Sequence, residues 1–331
     1  MSKPVSPVVS RGIERLRGSG KKLALPEGED SRIQQAAQRL LELDVAQPVL
    51  LCEESAIKAQ ASFDLGGVQI VDPNRDAGPE LTNALLGKKR KITEDTVGDY
   101  IKTPVYHAVA MLNNAEVDAM VAGAVLSTSS VIAAAFAVGP KPGITTLSSF
   151  FLMDLQNQVE NISQTLLFAD CAININPDEE QLAEIAITTA DSAAKLLDDE
   201  PRLAMLSFSS HGSARHPHVT KVARVVEIVR ERAPHIRIDG ELQVDTALSP
   251  RVAAGKLKDP GEVAGRANVL IFPDLDAGNI AYKLVQYCGG ASATGPLLQG
   301  FAKPVCDLSR GASVEDIVSA SIVTMAMSLD E

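Results

Sequence analysis

Asp307-Leu308-Ser309-Arg310-Gly311-Ala312-Ser313-Val314-Glu315-Asp316 sets a hydroxyl, a guanidinium and carboxylates in one short stretch near the end of the chain. Arg310 offers a planar fork suited to phosphate or an acyl-phosphate oxygen. Ser309 adds a hydroxyl, and Asp316 is placed to accept a proton. The apolar run before Asp307 and the periodic residues after Ser313 read as a strand passing into a helix. Open α/β sheets bind ligands at such junctions, and a helix N-terminus favours a phosphoryl group. A competing reading is purely architectural. Ser313 and Asp316 have the spacing of a capping box, and Arg310 can serve as an ion-pair partner. Spacing leaves both open.

Ser127-Thr128-Ser129-Ser130 forms a second candidate, directly after an apolar run that ends at Gly123. Backbone amides and hydroxyls at a strand–turn–helix junction can cradle an anion, whereas helix capping accounts for only one hydroxyl. His211, His216 and His218 lie in a Gly- and Pro-containing loop without matching Cys or carboxylate spacing, so no metal is expected there. The turn Glu27-Gly28-Glu29-Asp30 is acidic, and no GxGxxG follows a strand, which argues against a nicotinamide enzyme of that type. Gly289-Gly290 and the following ASATG read as a loop of small residues.

The elements that position these groups alternate. Strands are expected at Lys21–Pro26, Val49–Cys52, Val68–Val71, Val117–Ala122, Ile144–Met153, Thr165–Ala169, Leu203–Phe208, Ile236–Asp239, Val269–Phe272 and Pro304–Asp307. Helices fall between them. Ile33, Ala36, Ala37, Leu40 and Leu41 repeat at helical spacing after Asp30 or Ser31 as N-cap, and a long one-faced helix carries Leu182, Ile185, Ala186, Ala190, Ala193 and Leu197. A last helix carries Val314, Ile317, Val318, Ile322 and Met325. The alternation predicts α/β architecture with largely parallel sheets.

Composition narrows the function. The 331 residues include no Trp, and aromatic residues make up 4%, so the cores are aliphatic and few platforms exist for stacking bases. A net charge of -11 argues against nucleic acid as a partner, while a small anion can still be held by local basic residues. Cys52, Cys171, Cys288 and Cys306 are scattered without a CxxC pair and read as buried, reduced thiols. The opening residues lack an apolar signal core, and no apolar stretch approaches the ~20 residues of a membrane span. A cytoplasmic protein with no membrane partner is expected.

Long segments then carry a resemblance. KLALPEGEDSRI, VAGAVLSTSS, KPGITTLSSFFLM, FADCAININPDEEQLAEIAI, PRLAMLSFSSHGSARHP, DGELQVD, FPDLDAGNIAYK, GPLLQGFAKPV and DLSRG resemble, in order from about residue 21 to about 327, the phosphate acetyltransferase family and its butyryl relatives. That family is similar in fold to the isocitrate and isopropylmalate dehydrogenases. The resemblance implies two α/β domains, 1–145 with 296–331 and 146–295, with the active site in the cleft between them, usually in a homodimer. The implied reaction joins acetyl-CoA and phosphate to give acetyl phosphate and CoA. Coenzyme A is a substrate, and no permanent cofactor or metal takes part. By carry-over Asp316 takes the CoA thiol proton, Ser309 stabilises developing charge, and Arg310 holds phosphate or the acyl carbonyl. Ser127 and Thr128 line the phosphate pocket, with Tyr282 and Lys283 nearby.

Two departures stand out. The family usually has arginines where this chain has Gly87, expected within a helix, and Ala133. Lys88, Lys89 and Arg90 are the candidate replacements at the CoA end, although a charge run is also an ordinary solvated face. The alternatives are a catalytically weakened homologue that binds acyl-CoA or acyl phosphate, and an acyltransferase preferring a longer group such as butyryl. A metal-dependent dehydrogenase on the same fold would need an acidic ligand cluster, which the sequence does not offer.

Overall fold

The computed structural model describes residues 6–53, 65–75, 77–156, 162 and 164–329. The chain folds as two compact units, one built from the residues up to Gly143 together with those from Phe301 onward, the other from Ile144–Gly300.

In the first unit the strands are β1 (Lys22–Leu25), β2 (Gln47–Leu51), β3 (Gln69–Val71), β4 (Ala119–Ala122) and β11 (Val305–Asp307). They lie in the order β3-β2-β1-β4-β11, and every pair is parallel. The helices are α1 (Pro7–Leu16), α2 (Ser31–Glu42), α3 (Pro79–Leu85), α4 (Val97–Ile101), α5 (Pro104–Asn113), α6 (Thr128–Ala135) and α12 (Val314–Ala326). A parallel strand between helical layers is apolar on both faces, which is why Ala119-Met120-Val121-Ala122 is buried throughout. From β1 the chain winds outward through β2 to β3, then returns to place β4 and β11 on the other side. The order therefore reverses between β1 and β4, and loops leaving the carboxyl ends of such strands open a crevice for ligands.

The second unit holds β5 (Ser148–Asp154), β6 (Thr165–Ala169), β7 (Arg202–Leu206), β8 (Arg237–Leu242), β9 (Val269–Ile271) and β10 (Ser292–Gln299). Their order is β10-β5-β6-β9-β7-β8. Strand β5 runs antiparallel to both neighbours, while β6, β9, β7 and β8 are parallel. Its helices are α7 (Glu179–Leu196), α8 (Pro217–Arg232), α9 (Val244–Leu248), α10 (Pro250–Lys256) and α11 (Leu275–Tyr287). Helix α7 opens with a capping box between Asp178 and Gln181. Phe151, Met153, Phe168, Leu242 and Leu270 form part of an apolar core against which Tyr282 and Val285 of α11 pack.

Three expectations change. The small residues after Gly290 form not a loop but strand β10, from Ser292. Gly87 lies beyond α3 rather than inside a helix, with a φ of 72° that a glycine accepts at a helix end. Cys288 is exposed, whereas Cys52, Cys171 and Cys306 are buried. Cys288 sits just past the C-terminus of α11, where the chain turns into Gly289-Gly290.

Candidate active site

The carboxyl ends of β1, β4 and β11 deliver three loops to the crevice of the first unit. After β1 comes Pro26-Glu27-Gly28, and after β4 come Gly123 to Leu126 and then α6. The turn of successive amides at 123–126 is an anion nest, and the protein fills it itself. Glu27 Oε2 accepts from the Gly123 and Ala124 N–H at 2.9 and 2.9 Å, and its Oε1 accepts from Val125 and Leu126 at 2.8 and 2.7 Å. These amides are therefore committed. An incoming anion must use donors further along, beginning with the first turn of α6.

Ser127 is the N-cap of α6, and its Oγ accepts from the Ser130 N–H at 3.2 Å. The same Oγ lies 2.9 and 2.8 Å from the hydroxyls of Ser129 and Ser130. One hydroxyl caps the helix, as expected of any N-cap, while Thr128, Ser129 and Ser130 remain exposed at its start.

From Asp307, the last residue of β11, the chain runs through Leu308, Ser309 and Arg310 into α12. Gly123 passes so close to this turn, at a φ of 107°, that a Cβ there would collide with Asp307 Oδ1 and lie 2.6 Å from the Leu308 nitrogen. The two loops thus touch at backbone level. Arg32, in the first turn of α2, clamps them from the third side. Its guanidinium donates to the carbonyls of Arg310 and Ala312 at 2.9 and 3.0 Å and of Ala124 at 2.8 Å, while Asp30 holds it bidentately at 3.0 and 2.8 Å. Hydrogen bonding to Arg32 lowers the Asp30 carboxyl below its usual range.

Ser309, Arg310 and Asp316 are all exposed. Among the described residues the Arg310 guanidinium meets no carboxylate, so the ion-pair reading of this side chain gains no partner. The capping box is real. Asp316 Oδ2 accepts from Ser313 N at 3.0 Å and Ser313 Oγ at 2.8 Å, and Asp316 N donates to Ser313 Oγ at 3.2 Å. Capping occupies one carboxylate oxygen; Oδ1 carries no bond among the described residues.

Asp307 is the unusual group. It is 0% exposed, and neither carboxylate oxygen has a hydrogen-bond partner. Burial, reinforced by the charge of Glu27 and opposed by the neighbouring Thr128 hydroxyl, pushes its carboxyl up to about 7. Sequence reading missed Glu27 and Arg32, whose partners are remote along the chain, and gave no role to Asp307, whose enclosure comes from the tertiary fold.

The other candidates stand elsewhere. Lys89 donates to the Ala133 carbonyl at 2.6 Å, placing its ammonium at the last turn of α6, and burial lowers its pKa. Lys88 and Arg90 are exposed on the same loop. Tyr282 and Lys283 belong to α11 of the second unit. The Tyr282 ring stacks on Phe151 with centroids 4.0 Å apart, and Lys283 Nζ lies 5.7 Å from the Tyr282 centroid. His216 caps α8, its ring accepting from the His218 N–H at 3.2 Å, and His211 faces Asp239 at 3.2 Å. Among the described residues no three His, Cys, Asp or Glu side chains gather as a metal cluster.

Comparison with known proteins agrees over nearly the whole chain. Phosphate acetyltransferase of Acetivibrio thermocellus is 45% identical over 317 residues, covering 94% of this chain and 95% of that protein. The crystal structure of a phosphotransacetylase from Streptococcus pyogenes superposes with a TM-score of 0.90 at 38% identity, over 99% of this chain and 100% of that one. A 4-hydroxythreonine-4-phosphate dehydrogenase from Klebsiella pneumoniae, 14% identical with a TM-score of 0.52 over 94% of this chain and 100% of that one, shares the fold alone. The family model described as phosphate acetyl/butaryl transferase matches residues 8–325, and the chain belongs to that family.

Proposed function

We propose that this enzyme transfers an acetyl group reversibly between coenzyme A and inorganic phosphate. The observation that carries the reading is the meeting of the 123–130 and 307–316 segments at one strand-end crevice. There, among the described residues, a guanidinium without a carboxylate partner, exposed hydroxyls and an open carboxylate oxygen accompany a helix start.

The chemistry follows from the donors. A thiol of pKa near ~8.5 is largely protonated at neutral pH, so a nearby base is needed to make the nucleophile. Asp316 Oδ1 takes the CoA thiol proton, and the sulfur attacks the acetyl carbon of acetyl phosphate. As the C–S bond forms, the carbonyl oxygen gains charge, which Ser309 and Arg310 stabilise. The C–O bond to phosphate then breaks, and phosphate leaves with that electron pair. Thr128, Ser127 and the first amides of α6 hold its oxygens. Tyr282 and Lys283 are further substrate contacts, Lys283 as a cation toward an anionic group. Lys88 and Arg90 meet the phosphates of CoA, while Lys89 anchors their loop to α6. No metal or resident cofactor enters any step.

The enzyme works as a cytoplasmic homodimer. Ile280, Leu284 and Tyr287 recur along α11 at 57, 56 and 84% exposure, a stripe suited to a second copy. Free cysteines and a thiol substrate both fit a reducing compartment.

The test is thioester formation from CoA and acetyl phosphate by the purified chain, with propionyl and butyryl phosphates alongside. Arg310→Ala and Asp316→Asn are each expected to lower kcat about 100-fold or more. Absence of turnover with all three acyl phosphates, or full turnover in both variants, overturns the proposal.

A further inference from the structure

A cavity of about 880 Å³ opens within the second unit, and no step of the proposed reaction uses it. It lies at the carboxyl ends of β7 and β9, a parallel pair, which is where open α/β sheets take ligands. Leu206, Val222 and Phe272 make a buried apolar floor. Phe208 and Val244 stand beside it at 57 and 52% exposure, and His216 meets the Phe208 ring edge-on with centroids 6.1 Å apart. Single exposed apolar residues are ordinary, but two gathered around one apolar floor make room for a flat apolar body.

One edge of the cavity is polar. Lys221 reaches across from α8, and its Nζ donates to Asn176 Oδ1 at 3.3 Å and to the Pro273 carbonyl at 3.2 Å. An ammonium has three protons, so one is left for a ligand. Burial lowers the pKa of Lys221, against the charges of Asp274 and Asp178. These two acids cap α11 and α7, each spending Oδ1 on a backbone N–H at 2.9 Å, from Ala277 and Gln181. Their Oδ2 atoms carry no hydrogen bond among the described residues. A donor and two acceptors therefore share this edge. The helix starts are taken by their own carboxylates, and with Glu179 also on the lining the acids outnumber Lys221. A phosphate or an apolar acid is thus the wrong occupant.

What fits is an uncharged ring with apolar faces and, on one edge, an acceptor beside a donor. Adenine has that edge, since N7 accepts and the neighbouring 6-amino group donates. Guanine and hypoxanthine carry a carbonyl oxygen in place of that amino group and would turn it toward the carboxylates. We propose that this cavity binds the adenine ring of a nucleoside, stacked on Phe208, with Lys221 donating to N7 and Asp274 or Asp178 accepting from the amino group. The ring comes either from a free adenine nucleoside or from coenzyme A, the substrate of the proposed reaction.

The test is calorimetric titration of the purified chain with adenosine, inosine and coenzyme A, for wild type, Phe208→Ala and Lys221→Met, with acetyl transfer followed in parallel. Adenosine should bind one site per chain with a Kd of about 0.1–1 mM. Inosine should bind about tenfold more weakly or worse, since it exchanges the donor for an acceptor. Phe208→Ala and Lys221→Met should each weaken adenosine about tenfold. If Lys221→Met loosens the loops that Lys221 joins, the exposed Phe208→Ala decides alone. A rise in the KM for CoA in Phe208→Ala assigns the ring to coenzyme A; an unchanged KM beside weakened adenosine binding assigns it to a free nucleoside. Absence of saturable adenosine binding, equal binding of inosine, or adenosine binding unchanged in Phe208→Ala overturns the inference. Such a failure with turnover intact leaves the acetyl-transfer reading standing, and adenosine binding without turnover does the reverse.

Discussion

Replacing Glu27 by Ala should destabilise the chain by about 4 kcal/mol, and the reason lies in the amides it leaves behind. Hydrogen bonds to a charged group contribute about 1.5–3 kcal/mol each. Multiplying by four overstates the loss, because the Val125 and Leu126 bonds are only partly buried and water can replace them. The Gly123 and Ala124 N–H groups are buried, and stranding each costs about 1–3 kcal/mol. Glu27→Gln keeps one acceptor oxygen but turns an NH2 toward the remaining amides, so it should lose more than half as much. Urea unfolding at neutral pH reads both changes as a lower midpoint at constant slope. Formate added to Glu27→Ala should refill the nest. At ten times its Kd it restores about 1.4 kcal/mol, where the same concentration of chloride does not. A cost below 1 kcal/mol for the Ala variant, or equal effects of formate and chloride, would refute the idea that these amides hold a carboxylate of structural weight.

The Asp307 carboxyl gives a stability prediction with a definite sign. Its native value of about 7 lies above the ordinary 3.8, so the folded chain holds a proton that the unfolded chain releases. The contribution is fully present below about pH 4 and gone above about pH 7, a loss of roughly 4 kcal/mol at 1.36 kcal/mol per pH unit. Asp307→Asn should therefore gain on wild type across that window in urea midpoints, and parallel pH profiles would contradict this. Arg32→Lys keeps the charge but loses the fork that spans Ala124, Arg310 and Ala312, so kcat/KM is expected to fall about tenfold or more. Unchanged kcat/KM would mean that the clamp does not position Arg310.

What the sequence disclosed follows the range of the interactions involved. Strands β1, β4 and β6 are short apolar runs closed by turn residues, and their positions are legible from local pattern alone. So is the junction at Ser309-Arg310, since a strand, a turn and a capping pair at Ser313 and Asp316 are all local signals. Strand β10 was hidden by its own chemistry. Ser292-Ala293-Thr294-Gly295-Pro296 carries turn residues, and the register shifts between Thr294 and Leu297, so it becomes a strand only by pairing with β5. Glu27 read as part of an acidic turn because its donors lie 96–99 residues away, and Arg32 drew no role because two of its acceptors lie 278–280 residues away. Tertiary contacts of that length leave no periodicity to find.

An acidic protein that handles an anion has to neutralise its own carboxylates where the substrate enters. The net charge is -11, and two of the nearest acids, Glu27 and Asp307, are buried under the loops that form the crevice. The fold treats them in opposite ways. Glu27 is met by four amide dipoles with Arg32 nearby, so little of its field reaches outward. Asp307 has no donors and sheds its charge instead by retaining a proton to about neutral pH. With both acids silenced, the Arg310 guanidinium and the first turn of α6 dominate the local potential despite the overall charge. Anion binding in this crevice should consequently fail first on the alkaline side, where Asp307 ionises.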